Sequence, residues 1–283
     1  MNRVGRKQVR AIGRVILRVN WMALEIVRGA MGWKQGHYPA LWLHRICRRM
    51  LRLLAVHTAI VGKVPTRGLL VANHLSYLDV ILLSALTPCV FVAKSEVAGW
   101  PVFGWFARMA GTIFVHRGNR RDTVRAKERI QAALRNGALV VLFPEGTSSD
   151  GSRLLPFKSS LLEAAIGARV PVTVAALHFE LTDGNAGVEV CYWGNHTLLP
   201  HLLRLMSKEG VNASVVFSAV GNTWRDRKKL AVQLRSEVAA LCSGLRRSTP
   251  EPADSKRCES PGEPNGGVRI RAAANTLRME ATV

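Results

Sequence analysis

The residues best suited to chemistry lie in Val71-Ala72-Asn73-His74-Leu75-Ser76-Tyr77-Leu78-Asp79. A short apolar run leads straight into Asn73-His74, and a helical pattern follows from Tyr77. In open α/β sheets ligands collect where strands end at their carboxyl edge. His74 therefore stands where a general base is useful. On one continuous helix Asp79 would not share its face. If His74 ends a strand and Asp79 opens the next helix, the two side chains converge, and the carboxylate holds the imidazole tautomer as in the orienting half of a hydrolase triad. A plainer reading stands beside it: Ser76-x-x-Asp79 approximates a capping box and need only start the helix.

Two further strand ends carry reactive types. Gly111-Thr112-Ile113-Phe114-Val115-His116-Arg117 ends in an arginine able to fork two hydrogen bonds to a phosphate. Leu142-Phe143-Pro144-Glu145-Gly146-Thr147-Ser148-Ser149 ends in small and hydroxylated residues, whose backbone N–H groups can face an anion. Each has a bland alternative, a solvated charge for Arg117 and a plain turn at Asp150-Gly151. Together with Val170-Pro171-Val172 they make four strand ends that are hard to dismiss as a set.

The elements that must hold these residues can be read from periodicity. Strands are expected at Val56–Gly62, Leu69–Ala72, Val90–Ala93, Thr112–His116, Leu139–Phe143, Val172–Leu177, Val188–Trp193 and Ser214–Ala219. Helices are expected at Tyr77–Leu86, Trp100–Met109, Thr123–Asn136, Ser159–Ala168, Leu198–Ser207 and Asp226–Leu245. The alternation predicts an α/β fold with a mostly parallel central sheet flanked by helices, preceded by an N-terminal pair of basic amphipathic helices.

That N-terminal pair dominates the charge. The 283-residue chain carries 40 Lys+Arg against 19 Asp+Glu, a formal +21, and its first 53 residues hold 12 bases and one acid. In the first helix Ile12, Val15, Ile16, Val19, Ala23, Ile26, Val27 and Ala30 form an apolar stripe, and Arg3, Lys7, Arg10, Arg14 and Arg18 a basic one. After a Gly36–Pro39 break, Leu43, Ile46, Cys47, Met50, Leu51 and Leu54 oppose Arg45, Arg48, Arg49 and Arg52. Neither helix reads as a membrane span, and no signal-peptide cleavage pattern follows. They are expected to lie in a bilayer interface facing anionic phospholipid, so that residues 1–38 could be removed without harm to the fold. Residues 1–55 thus form the interfacial unit, 56–246 the main domain and 247–283 a disordered tail. Five scattered cysteines exclude a disulfide framework and a cysteine zinc site. No zinc-finger, RRM-like or helix-turn-helix pattern accompanies the charge, so no nucleic-acid partner is expected. A non-catalytic lipid- or nucleic-acid-binding protein is the reading from another class.

The four segments resemble the signature blocks of the glycerolipid acyltransferase family: Asn73-His74-x4-Asp79, Gly111-x-x-Phe114-Val115-x-Arg117, Phe143-Pro144-Glu145-Gly146-Thr147 and Val170-Pro171-Val172, in the family order over residues 40–220. The resemblance implies acyl transfer from acyl-CoA or acyl carrier protein to a lysolipid hydroxyl, most simply that of 1-acylglycerol-3-phosphate. It implies work at the cytoplasmic side of the inner membrane, as a peripheral or monotopic protein, with no cofactor and no metal. His74 and Asp79 would be catalytic. Arg117, Glu145, Gly146, Thr147 and Lys158 would bind the acceptor, with Glu145 holding a hydroxyl or pairing with Arg117. One departure matters. Phosphate-using members often show Phe-Lys-Lys-Gly where this chain has Phe157-Lys158-Ser159-Ser160. That departure keeps lyso-ornithine lipid in view as the alternative acceptor.

Overall fold

The computed structural model describes residues 3–33, 39–100, 103–116, 118–221 and 224–248. Arg117, most of the Gly36–Pro39 break and the tail from 249 onward fall outside them. Two long helices, α1 (Arg3–Trp33) and α2 (Pro39–Leu53), lead into the α/β region. There follow β1 (Val56–Val61), β2 (Gly68–Ala72), α3 (Tyr77–Leu86), β3 (Val90–Lys94), a 3₁₀ turn (Ser95–Gly99), α4 (Phe103–Met109) and β4 (Ile113–Val115). Next come α5 (Arg120–Arg135), β5 (Leu139–Leu142), α6 (Glu163–Ala168), β6 (Val172–Glu180), α7 (Ala186–Glu189), α8 (Leu198–Ser207), β7 (Val211–Val220) and α9 (Arg227–Ser248).

The strands form one sheet in the order β1-β7-β6-β2-β5-β3-β4. Five are mutually parallel, while β7 meets β6 antiparallel and carries β1 parallel to itself. β2 lies between β5 and β6, and all five of its residues are buried. That is why its sequence is an unbroken apolar run rather than an alternating one. Leu70 and Ala72 enter one core with α2, α3 and α8; Leu69 and Val71 enter the other with α5, α6 and α9.

Two expectations are corrected. Val188–Trp193 is not a strand. Its first residues belong to α7, where the Asn185 side chain accepts from Gly187 N, and Val190 and Cys191 are then buried in a loop. The backbone partners there are a turn rather than a neighbouring strand: Tyr192 N donates to Leu75 O at 2.8 Å, and the Ser148 hydroxyl donates to Tyr192 O. Val170-Pro171-Val172, in turn, opens β6 instead of closing a strand. Pro171 O accepts from Leu69 N at the start of β2, and Gly68 (φ +90) sits so close that a Cβ would lie 2.3 Å from that oxygen. The fourth block therefore sets the register of β6 against β2 at the sheet edge opposite His74.

The N-terminal helix also departs from expectation. Arg18 is buried, and its Nη1 donates to Met206 O (2.7 Å) and Lys208 O (2.8 Å); Arg14 Nε donates to Ser207 O (3.0 Å). Three successive carbonyls at the C-terminus of α8, left open by helix geometry, are thus closed by cations placed where the helix dipole favours them. Val15 and Met22 pack on the core beside these arginines. The outward arc is apolar, with Ile12, Ile16 and Val27 more than half exposed (60%, 58% and 54%). So α1 turns Arg14 and Arg18 inward and Ile12, Ile16 and Val27 outward, and residues 1–38 cannot be removed without uncapping α8. No described helix is long and apolar enough to cross a membrane.

Replacing Arg18 with Ala strips the Met206 and Lys208 carbonyls of a charged donor, a loss of about 2–4 kcal/mol. Equilibrium denaturation should show that loss, with Arg14→Ala costing less because Arg14 is only half-buried.

Candidate active site

β2 delivers the chain to the carboxyl edge of the sheet, where Asn73 replaces one more rung of the ladder. Its Nδ2 donates to Leu177 O (3.0 Å) and its Oδ1 accepts from Leu177 N (2.8 Å). This amide mimics a backbone unit of β2 against β6, so the chain can leave the sheet at once without a buried orphan.

The next three residues form a turn whose six backbone polar groups are all bonded. His74 N donates to Glu145 Oε1 (2.7 Å), and His74 O accepts from Ser149 N (3.0 Å). Leu75 N and Ser76 N donate to Asp79 Oδ2 at 2.6 and 2.9 Å. Leu75 O accepts from Tyr192 N, and Ser76 O from Asp79 N (3.1 Å). Ser76 is the N-cap of α3 and Asp79 its third residue. The same Asp79 Oδ2 accepts from His74 Nδ1 at 2.7 Å. The two readings of Ser76-x-x-Asp79 thus coexist: one carboxylate starts the helix and holds the imidazole.

That geometry settles the tautomer. A carboxylate only accepts, so Nδ1 is the donor, and in the neutral ring the lone pair is on Nε2. Asp79 is fully buried, while the His74 side chain remains 22% exposed. Phe143 stacks on the imidazole, centroids 4.1 Å apart at 14°, and blocks rotation out of the plane. The ring is therefore oriented, open on one nitrogen and reachable.

Glu145, expected to bind the acceptor, has a backbone partner at each oxygen. Its two oxygens accept backbone N–H groups, Oε1 from His74 and Oε2 from Leu155 (2.9 Å). Burial pushes its carboxyl above the ordinary value, against the pull of those two bonds. It is a brace between two loops. Gly146 adopts φ +75 and donates to Phe143 O, closing the Phe143–Gly146 turn in a conformation that favours glycine. Thr147 is exposed.

Beside Phe143 opens a cavity of about 290 Å³, lined by Val115, Thr123, Leu142, Phe143, Pro144, Lys158, Ser160 and Leu161. Phe143 belongs to both the cavity lining and the imidazole stack. Lys158 N donates to Pro144 O, which ties the lysine's backbone to the third block. Arg117 follows Val115 and His116 in the chain but lies outside the described residues. Sequence reasoning placed His74, Asp79 and Lys158 near this edge. It missed the rung made by Asn73 and the strap made by Tyr192, both of which depend on distant partners.

Comparisons with known proteins point one way. The family model described as Acyltransferase matches residues 56–177. A lyso-ornithine lipid O-acyltransferase of Brucella abortus (strain 2308) is 37% identical over 238 residues, 78% of this chain and 87% of that protein. A 1-acyl-sn-glycerol-3-phosphate acyltransferase of Neisseria gonorrhoeae is 32% identical over 182 residues, 61% of this chain and 68% of that protein. The crystal structure of the 1-acyl-sn-glycerophosphate (LPA) acyltransferase PlsC from Thermotoga maritima is similar in fold, with a TM-score of 0.61 at 18% identity. It covers 87% of this chain and 100% of that one.

Asp79→Asn should lower any turnover that runs through the His74 imidazole by about 10³–10⁴-fold, because an amide can present its N–H to Nδ1 and favour the wrong tautomer. Single-turnover rates for Asp79→Asn and His74→Ala check this, and similar losses for the two are expected.

Proposed function

The chain belongs to the glycerolipid acyltransferase family, and we propose that the acceptor it acylates is the free hydroxyl of a lyso-ornithine lipid. The observation that carries this reading is the 37% identity to a lyso-ornithine lipid O-acyltransferase over 87% of that protein's length. The cavity beside Phe143 supports it. Lys158 with the hydroxyls of Ser160 and Thr123 suits the singly charged carboxylate of an ornithine headgroup. A phosphate monoester carries nearly two charges. 1-Acylglycerol-3-phosphate is the second reading, favoured by the similarity to the Neisseria enzyme.

The chemistry follows from the imidazole. Nε2 of His74 takes the acceptor's hydroxyl proton as its oxygen attacks the thioester carbonyl of acyl-CoA or acyl carrier protein. The tetrahedral oxyanion collapses, the C–S bond breaks, and the imidazolium returns the proton to the departing thiolate. An ester and a free thiol result, with His74 neutral again. Asp79 offsets the positive charge on the ring while it lasts.

The same reading places the protein on the cytoplasmic face of the inner membrane. The outward arc of α1 would sit in the bilayer interface, with neighbouring basic residues facing anionic phospholipid.

Acyl transfer from labelled acyl-CoA and acyl carrier protein, comparing lyso-ornithine lipid with lysophosphatidic acid, decides the acceptor. Ornithine lipid formed by the wild type and lost in His74→Ala is the expected result. Phosphatidic acid as the main product would move the acceptor to the second reading. Separately, Ile12→Glu with Ile16→Glu should leave the protein in the supernatant of sedimented anionic vesicles while its melting temperature stays unchanged.

A further inference from the structure

Outside the base and the cavity, a buried histidine touches the catalytic turn on both flanks. His201, on α8, is 5% exposed. Its Nε2 meets Cys191 O at 3.1 Å, and its Nδ1 meets the Tyr77 hydroxyl at 3.0 Å. A carbonyl can only accept, so Nε2 carries the proton and Nδ1 accepts from Tyr77. Tyr77 is the first residue of α3, immediately after the Ser76 cap. Cys191 precedes Tyr192, whose N–H holds Leu75 O and whose carbonyl is held by the Ser148 hydroxyl. One ring thus grips the residue after the His74–Ser76 turn and the strand of chain that straps the turn's middle.

The surroundings of the ring hold its pKa below the ordinary histidine value. Burial lowers its affinity for a second proton, His196 and Arg204 add to that effect, and the Cys191 bond opposes it. Tyr77 and Tyr192 pack against it edge-on, and His196 stacks on it at 5.4 Å. A charged imidazole would have no lone pair left for Tyr77.

We propose that His201 is a positioning residue for the reaction: it holds the backbone of His74–Tyr77 where the His74–Asp79 pair has its productive geometry. Its hydrogen-bond partners are Tyr77 and Cys191, so it acts on His74 and Asp79 through them. This rests on the acyltransferase reading for its kinetic consequence, while its structural consequence stands apart from that reading. Small displacements of a base from its target cost up to about 10²-fold.

The test uses the full chain with His201→Ala, His201→Gln and Tyr77→Phe. Glutamine can donate to Cys191 O and accept from Tyr77, so it should restore what alanine loses. His201→Ala should lower kcat by about 10–100-fold at unchanged KM. It should also shift or broaden the downfield proton resonance of the His74 Nδ1–H···Asp79 bond, with Tyr77→Phe doing so less. A lowered melting temperature with kcat and that resonance unchanged at low temperature would overturn the proposal, since His201 would then be merely a core residue. If the wild type acylates no lysolipid, the functional reading fails. The resonance alone then decides: moved by alanine and restored by glutamine, it upholds the positioning role, and otherwise it refutes it.

Discussion

One oxygen atom organises this molecule. Asp79 Oδ2 accepts from Leu75 N, Ser76 N and His74 Nδ1, at a position from which water is excluded. A carboxylate buried there would be costly without such donors. Two of them exist only when the turn between β2 and α3 has formed, and the N-terminal end of α3 adds its dipole. Helix initiation and orientation of the base are therefore the same folding event. The sheet serves that event by burying β2 on both faces, so that its end is a rigid platform.

Much of this was legible because it is local. Asn73 to Asp79 are seven successive residues, and their types announce a strand end, a base and a cap without help from elsewhere. Tyr77–Leu86 and Leu198–Ser207 likewise coincide with α3 and α8, since their apolar periodicity is bounded by clear breaks. What escaped reading has its cause far along the chain. Val188–Trp193 is apolar because it straps a turn more than 100 residues earlier. Glu145 braces the backbone N–H groups of His74 and Leu155, a role that its own neighbours in the chain do not announce. Val170-Pro171-Val172 groups by sequence with three strand ends, yet it begins its strand.

The excess of arginine also carries more than one meaning. A formal +21 suggests a polyanionic partner, and exposed residues on α2 suit one. Several arginines, however, close open carbonyls. Arg14 and Arg18 do so at the end of α8. Arg235 bonds Leu154 O and Leu155 O, and Arg246 bonds Ser152 O and Gly151 O. The latter pair clamps the loop whose Leu155 N–H supports Glu145. Part of the basic excess is thus consumed in holding loops and helix ends, which composition alone does not reveal.

The inward arginines of α1 have a geometric consequence. A helix of 31 residues is about 46 Å long. Gripped at Arg14 and Arg18, it cannot roll about its own axis, so its aliphatic arc has one fixed azimuth relative to the sheet. A rod lying flat on a plane removes one tilt, and a fixed azimuth removes the other. Any apolar surface on which α1 settles would leave the body free only to slide and to spin about the normal. The cavity beside Phe143 would then stand at one height and one inclination above that surface in every copy of the protein.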